Sequence, residues 1–194
     1  LEEEIRLFRE SEEYRHMIEA DSYYANRSDV QRKTTDLARH SNTKIEHPIL
    51  KKLVDQKADY LLGKPFTVNA LNDTYSGLLN EFMGDTFSRK IKSLVKGAVK
   101  SGIAYLAPYI DTDGKLQFMR LPSTEVVPIW VDEERTRMDG YIRFYDQVVY
   151  QGRLRKVIQK VEYWDTTGVQ FYQTAGEGTT RLFPDPDRKN QSYH

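Results

Sequence analysis

The hydrophobic period of this chain changes once, at Gly102. Before it, apolar residues recur at helical spacing; after it they alternate, as on strands with one face buried. A chain that is helical first and stranded afterwards is expected to be α+β, with N-terminal helices followed by an antiparallel β-sheet or meander. The strands expected at 103–110, 115–121, 125–131, 140–150, 154–164 and 169–175 are separated by links such as Asp113-Gly114, Gln151-Gly152 and Thr167-Gly168. Links this short force antiparallel neighbours, since a parallel pair needs a long crossover.

The best-defined helix is expected over 48–62. Pro48 suits its first turn, where a missing N–H costs nothing. Ile49, Leu50, Leu53, Val54, Ala58, Leu61 and Leu62 share one broad face. Gly63 is expected to close it in the left-handed conformation, and Pro65 bars continuation. A short strand is expected over 67–70. A second helical region, 74–101, is expected to break near Gly84-Asp85 and to end at Gly102. Residues 1–26 read as one charged helix and 27–44 as a mobile polar loop. The expected organisation is therefore a helical arm and loop over 1–44, an α+β body over 45–182, and a frayed tail over 183–194.

Composition narrows the function. Lys plus Arg number 29 and Asp plus Glu 29, so no net field draws the chain to nucleic acid or membrane. There is no cysteine, which removes disulfides, thiolate metal sites and a thiol nucleophile. No apolar run approaches the ~20 residues of a membrane-spanning helix, and the acidic start is unlike a signal peptide. Lacking an initiator Met, the chain reads as a piece of a longer polypeptide.

Motifs of chemistry are sparse. Asp111-Thr-Asp-Gly114 resembles half a calcium loop, but position 120 is Arg rather than a bidentate Glu. The simpler reading is a hairpin turn whose Gly supplies positive φ. Asp132, Glu133 and Glu134 form a second acidic run, followed at once by Arg135 and Arg137. His16, His40, His47 and His194 stand in no recognisable pairing with Ser and Asp, and no phosphate loop or zinc-helix motif is present. No cofactor, metal site or catalytic residue is expected. The local contact candidate is Arg89, Lys92, Lys96 and Lys100, aligned on one helix face. Such a stripe meets phosphates, an acidic protein surface (the acids at 2–13 being one choice), or water.

From Val54-Asp-Gln-Lys-Ala-Asp-Tyr-Leu-Leu-Gly-Lys-Pro65, through Lys100-Ser-Gly-Ile-Ala-Tyr-Leu106 and Asp113-Gly-Lys115, to Pro122-Ser-Thr-Glu-Val-Val-Pro-Ile129, Tyr141-Ile-Arg-Phe-Tyr145 and Val161-Glu-Tyr-Trp-Asp165, the chain resembles the portal proteins of tailed bacteriophages. The branch is that of long-tailed phages of Gram-positive bacteria, and the likeness covers about 45–175. The resemblance implies a structural, non-enzymatic subunit of a dodecamer-like ring, this stretch being its wing. It implies double-stranded DNA in the axial channel and a place in the virion at a capsid vertex, after assembly in the bacterial cytoplasm. The implied partners are further copies of the subunit, capsid or scaffold protein, terminase and head-completion proteins. From another class, the carboxylates Asp111, Asp113, Asp132, Glu133 and Glu134 would suit a phage-borne metal-dependent nuclease.

Overall fold

The computed structural model describes residues 1–32, 44–64, 68, 70–176 and 178–193. The expectations for most of the loop 27–44, for half of the strand over 67–70, for Pro65 as a helix stop, and for His40 and His194 lie outside the described residues. Five α-helices, α1 (Glu2–Glu10), α2 (Glu12–Tyr24), α3 (Ile49–Leu62), α4 (Asp73–Phe82) and α5 (Asp85–Ser101), precede all the strands. The chain packs as two compact units, residues 16–123 and residues 1–15 with 124–194. The α+β expectation holds.

In the unit formed by 16–123, α3 lies along α5, and Val54 and Ala58 are buried there. The helix order follows local chemistry. Asn72 caps α4 by accepting from the Tyr75 amide at 3.1 Å, and α5 ends on Gly102 at φ 80°, a left-handed position that disfavours any side chain. Gly63 departs from expectation: it stays right-handed, φ −73° and ψ −19°. Its missing Cβ serves close approach instead, since a Cβ there would run into the Asp59 carbonyl. β1 (Tyr105–Ile110) and β2 (Leu116–Leu121) make a two-stranded hairpin. β1 starts two residues later than the alternation suggested, because the Ile103 carbonyl accepts from the Ser123 hydroxyl at 2.5 Å.

In the other unit, β3 (Val126–Trp130), β4 (Met138–Gln151), β5 (Leu154–Trp164), β6 (Gly168–Thr174) and β7 (Leu182–Pro184) form an antiparallel meander. One sheet face carries the core of Val127, Ile142, Phe144 and Val161, covered by Ile5 and Phe8 of α1.

Two further expectations are corrected. The single helix over 1–26 is two. Ser11 takes extended backbone, donates its hydroxyl to the Phe8 carbonyl at 2.7 Å and accepts from the Tyr14 amide at 3.1 Å, so it ends one helix and caps the next. The frayed tail over 183–194 is paired: β7 and β8 (Gln191–Ser192) both lie on the outer edge of β6. Between them the Asp185 amide donates to the Phe171 carbonyl, and Asn190 Oδ1 accepts from the Phe171 amide, each at 3.0 Å. Pro and Asp read as loop signals, but this edge needs few donors and the charges find partners on β5.

Candidate functional site

The stripe on α5 is the first candidate. Its lysines recur every four residues, and the facing acids Asp55 and Asp59 recur likewise on α3, so the two helices join as rungs. Lys92 Nζ reaches Asp59 Oδ1 at 2.5 Å, and Lys96 Nζ reaches Asp55 Oδ1 at 2.6 Å. Lys100 pairs with Asp21 of α2 and stands 5.5 Å from the Tyr24 ring centre. The Tyr24 hydroxyl donates to Asp55 Oδ1 at 3.0 Å. The Lys96 hydrogen bond holds the Asp55 carboxyl below its usual range, and the same bond raises Lys96. Arg89, at the exposed end, donates to the Asp85 carbonyl at 3.3 Å and to Thr86 Oγ1 at 3.4 Å. With Lys64, Ser88 and Lys92 it lines a concavity of about 500 Å³. The acidic partners of the stripe thus come from α3 and α2 rather than from the acids at 2–13. A phosphate approaching Lys92, Lys96 or Lys100 must compete with a carboxylate already in place.

The carboxylates are engaged in their own turns. Asp111 Oδ1 accepts from the amides of Asp113 at 3.0 Å and Lys115 at 2.8 Å, and the Lys115 amide foremost holds its carboxyl low. Asp132 accepts from the Thr136 hydroxyl at 2.6 Å and amide at 2.9 Å, and that hydroxyl is the main cause of its lowered pKa. Among the described residues no three His, Asp or Glu side chains gather as a metal ligand set. Asp113, Glu133 and Glu134 are exposed in these turns.

What sequence reading missed is an ionic cluster on the sheet face opposite α1. Arg143 and Tyr145 of β4 alternate with the core residues Ile142 and Phe144, and register places Glu162 and Lys160 of β5 across from them. Lys160 Nζ meets Asp185 Oδ2 and Gln173 Oε1, each at 2.8 Å. Glu162 Oε1 accepts from Arg188 at 2.7 Å and from the Tyr145 hydroxyl at 3.1 Å, and Oε2 accepts from Trp164 Nε1 at 3.2 Å. Burial, then the Glu162 charge, pushes the Tyr141 hydroxyl up to about 12. The signal was available: a strand placing Lys and Glu two apart, out of phase with its core residues, needs charged partners on that face. The cluster fastens the C-terminal segment to the sheet.

A sequence profile described as phage portal protein, SPP1 Gp6-like, matches residues 7–194. The chain is similar to the portal protein of Bacillus phage SPP1, 30% identical over 133 residues, which is 69% of this chain and 26% of that protein. It is also similar to the portal protein of Clostridium phage phiCD119, 26% identical over 178 residues, or 82% of this chain and 40% of that protein. The chain therefore spans 26% to 40% of the length of these curated relatives. With residues 7–194 matched, this chain belongs to the SPP1 Gp6-like family of phage portal proteins.

Proposed function

We propose that the chain is the wing of a portal subunit, a structural and non-enzymatic part of a dodecamer-like ring at one capsid vertex. Double-stranded DNA passes the axial channel of that ring during packaging and ejection. The ring assembles in the bacterial cytoplasm with capsid or scaffold protein. It docks terminase during packaging and head-completion proteins afterwards. Within this reading 45–182 is the wing body, and 1–44 an arm leading into it. The observation that carries the proposal is the family match over 7–194. Supporting it physically, each α5 lysine of the stripe is already paired to a carboxylate of its own chain, which suits a part that shapes the ring rather than grips phosphate. The test is negative-stain electron microscopy of the complete gene product. Rings with a central hole are expected; compact particles without a hole would refute the reading.

A further inference from the structure

The β4–β5 hairpin outgrows its sheet. β3 pairs with β4 only over 138–143, and β6 pairs with β5 only over 160–164. Beyond those limits 146–151 and 154–159 pair with each other alone, as a two-stranded ribbon. Such a ribbon is marginal in water without further packing. Three of its apolar residues are exposed: Val148 is 42% exposed, Tyr150 71% and Leu154 75%. Residues 147–159 contain Arg153, Arg155 and Lys156 and no acid. None of these three cations makes an ion pair among the described residues.

The ribbon continues the sheet face that α1 covers further back. Period-two alternation sets Val148 and Tyr150 on the same side as Ile142 and Phe144, with Arg155 opposite Tyr150. A helix is therefore the natural cover, and its exposed side must be acidic with an apolar centre. α1 offers such a side. Ile5 and Phe8 turn inward, while Leu7 is 48% exposed and is flanked by the exposed Glu3, Glu4 and Glu10. Arg6 bridges Glu3 and Glu10, so the face keeps three carboxylates to one guanidinium, and Glu4 makes no ion pair among the described residues.

We propose that the ribbon is an arm that docks onto the outward face of α1 in a second copy of this chain. Tyr150 and Val148 meet Leu7, Arg155 meets Glu4, and Arg153 joins Arg6 on Glu10. The two patches differ, so the contact is heterologous, and a closed ring of such contacts repeats it at every neighbour. The proposal deepens the ring reading above and rests on it. A protein partner is favoured over DNA because the tip is as apolar as it is basic, and because the complementary surface lies on this chain.

The test uses charge reversal and rescue, followed by sedimentation equilibrium of the chain. The Arg153→Glu/Arg155→Glu variant and the Glu4→Lys/Glu10→Lys variant should each weaken self-association about tenfold or more, since like charges across a contact are strongly unfavourable. Mixing the two variants, or combining all four changes in one chain, should restore it. All the altered side chains are exposed, and circular dichroism checks that the fold is kept. A chain that stays monomeric at submillimolar concentration overturns the proposal, as does self-association indifferent to both reversals. In that second case rings of the complete product would still stand, so failure of the arm is distinguishable from failure of the ring. Labelled duplex DNA bound by the wild type and lost on Arg153→Glu/Arg155→Glu, with self-association unchanged, would assign the ribbon to nucleic acid and likewise refute the docking.

Discussion

Replacing Lys160 with Met should be among the most damaging single changes in the sheet unit. Lys160 and Asp185 retain 6% and 1% side-chain exposure across a 2.8 Å contact. Breaking a pair buried this deeply leaves one charge without its partner, at about 3–5 kcal/mol. The Asp187 amide still donates to Asp185 Oδ1 at 3.0 Å, which partly solvates the orphaned carboxylate and places the expected loss near the lower end, about 3 kcal/mol. Since whole domains are stable by only ~5–15 kcal/mol, that loss is large. The double variant Lys160→Met/Asp185→Leu removes both charges and should recover most of it, because apolar replacements of buried pairs are often neutral or better. The exposed pair Lys92–Asp59, at 39% and 55%, is the control: Lys92→Met should cost no more than ~1 kcal/mol. Urea unfolding followed by the fluorescence of Trp130 and Trp164, both within this unit, reads the effect, and far-ultraviolet circular dichroism reads the control, which lies in the helical unit. Amide hydrogen exchange at Phe171, whose amide donates to Asn190 Oδ1 in the tail, separates local detachment from global unfolding. If Lys160→Met costs under ~1 kcal/mol and leaves exchange unchanged, the tail is not held by this pair and the reasoning fails.

Phe144→Ala should cost about 3–5 kcal/mol in the same urea titration, as a large core side chain is lost; it is 3% exposed and sits 6.1 Å from the Phe8 ring. The Asp165 carboxyl is held below its ordinary 3.8, first by the Thr167 hydroxyl. A lowered folded pKa gives stability that is present above 3.8 and lost as pH falls through the folded value. Asp165→Asn should therefore flatten the acid limb of a thermal-stability profile, and an unchanged limb would refute the turn's role. Tyr141 has the opposite sign. With its pKa raised from 10.0 to about 12, its contribution is complete below 10.0 and fades as pH rises through 12. Ultraviolet absorbance of tyrosinate should lose one of its late-titrating groups in Tyr141→Phe. Gly102→Ala forces a side chain into φ 80° and should cost about 1–2 kcal/mol without altering the sheet.

The order of helices and strands was legible because hydrophobic period is a local property: α3, the break before α5 and the β1–β2 turn follow from residues within one turn or one pleat of each other. The Ser11 break was legible only in part. Ser is as ordinary inside a charged helix as at its end until both of its hydrogen bonds are seen. The α5 stripe shows the limit at the candidate site. Spacing put Arg89, Lys92, Lys96 and Lys100 on one face, yet Asp59 and Asp55 become partners of Lys92 and Lys96 only because α3 packs alongside.

The sequence by itself determined the α+β class, the antiparallel order of the main strands and the family, since these rest on periodicity, short links and the order of motifs. The tertiary structure alone decided which charges are spent and which are left over. Lys160, Glu162, Asp185 and Arg188 read as solvent-facing residues, yet register and tail docking bury or pair them on one sheet face. Arg153 and Arg155 carry the same kind of charge, but the ribbon outruns its neighbours and no carboxylate of its own chain reaches them among the described residues. Coulombic pairing depends on distances of a few ångströms between groups far apart in the chain, and only packing sets those distances.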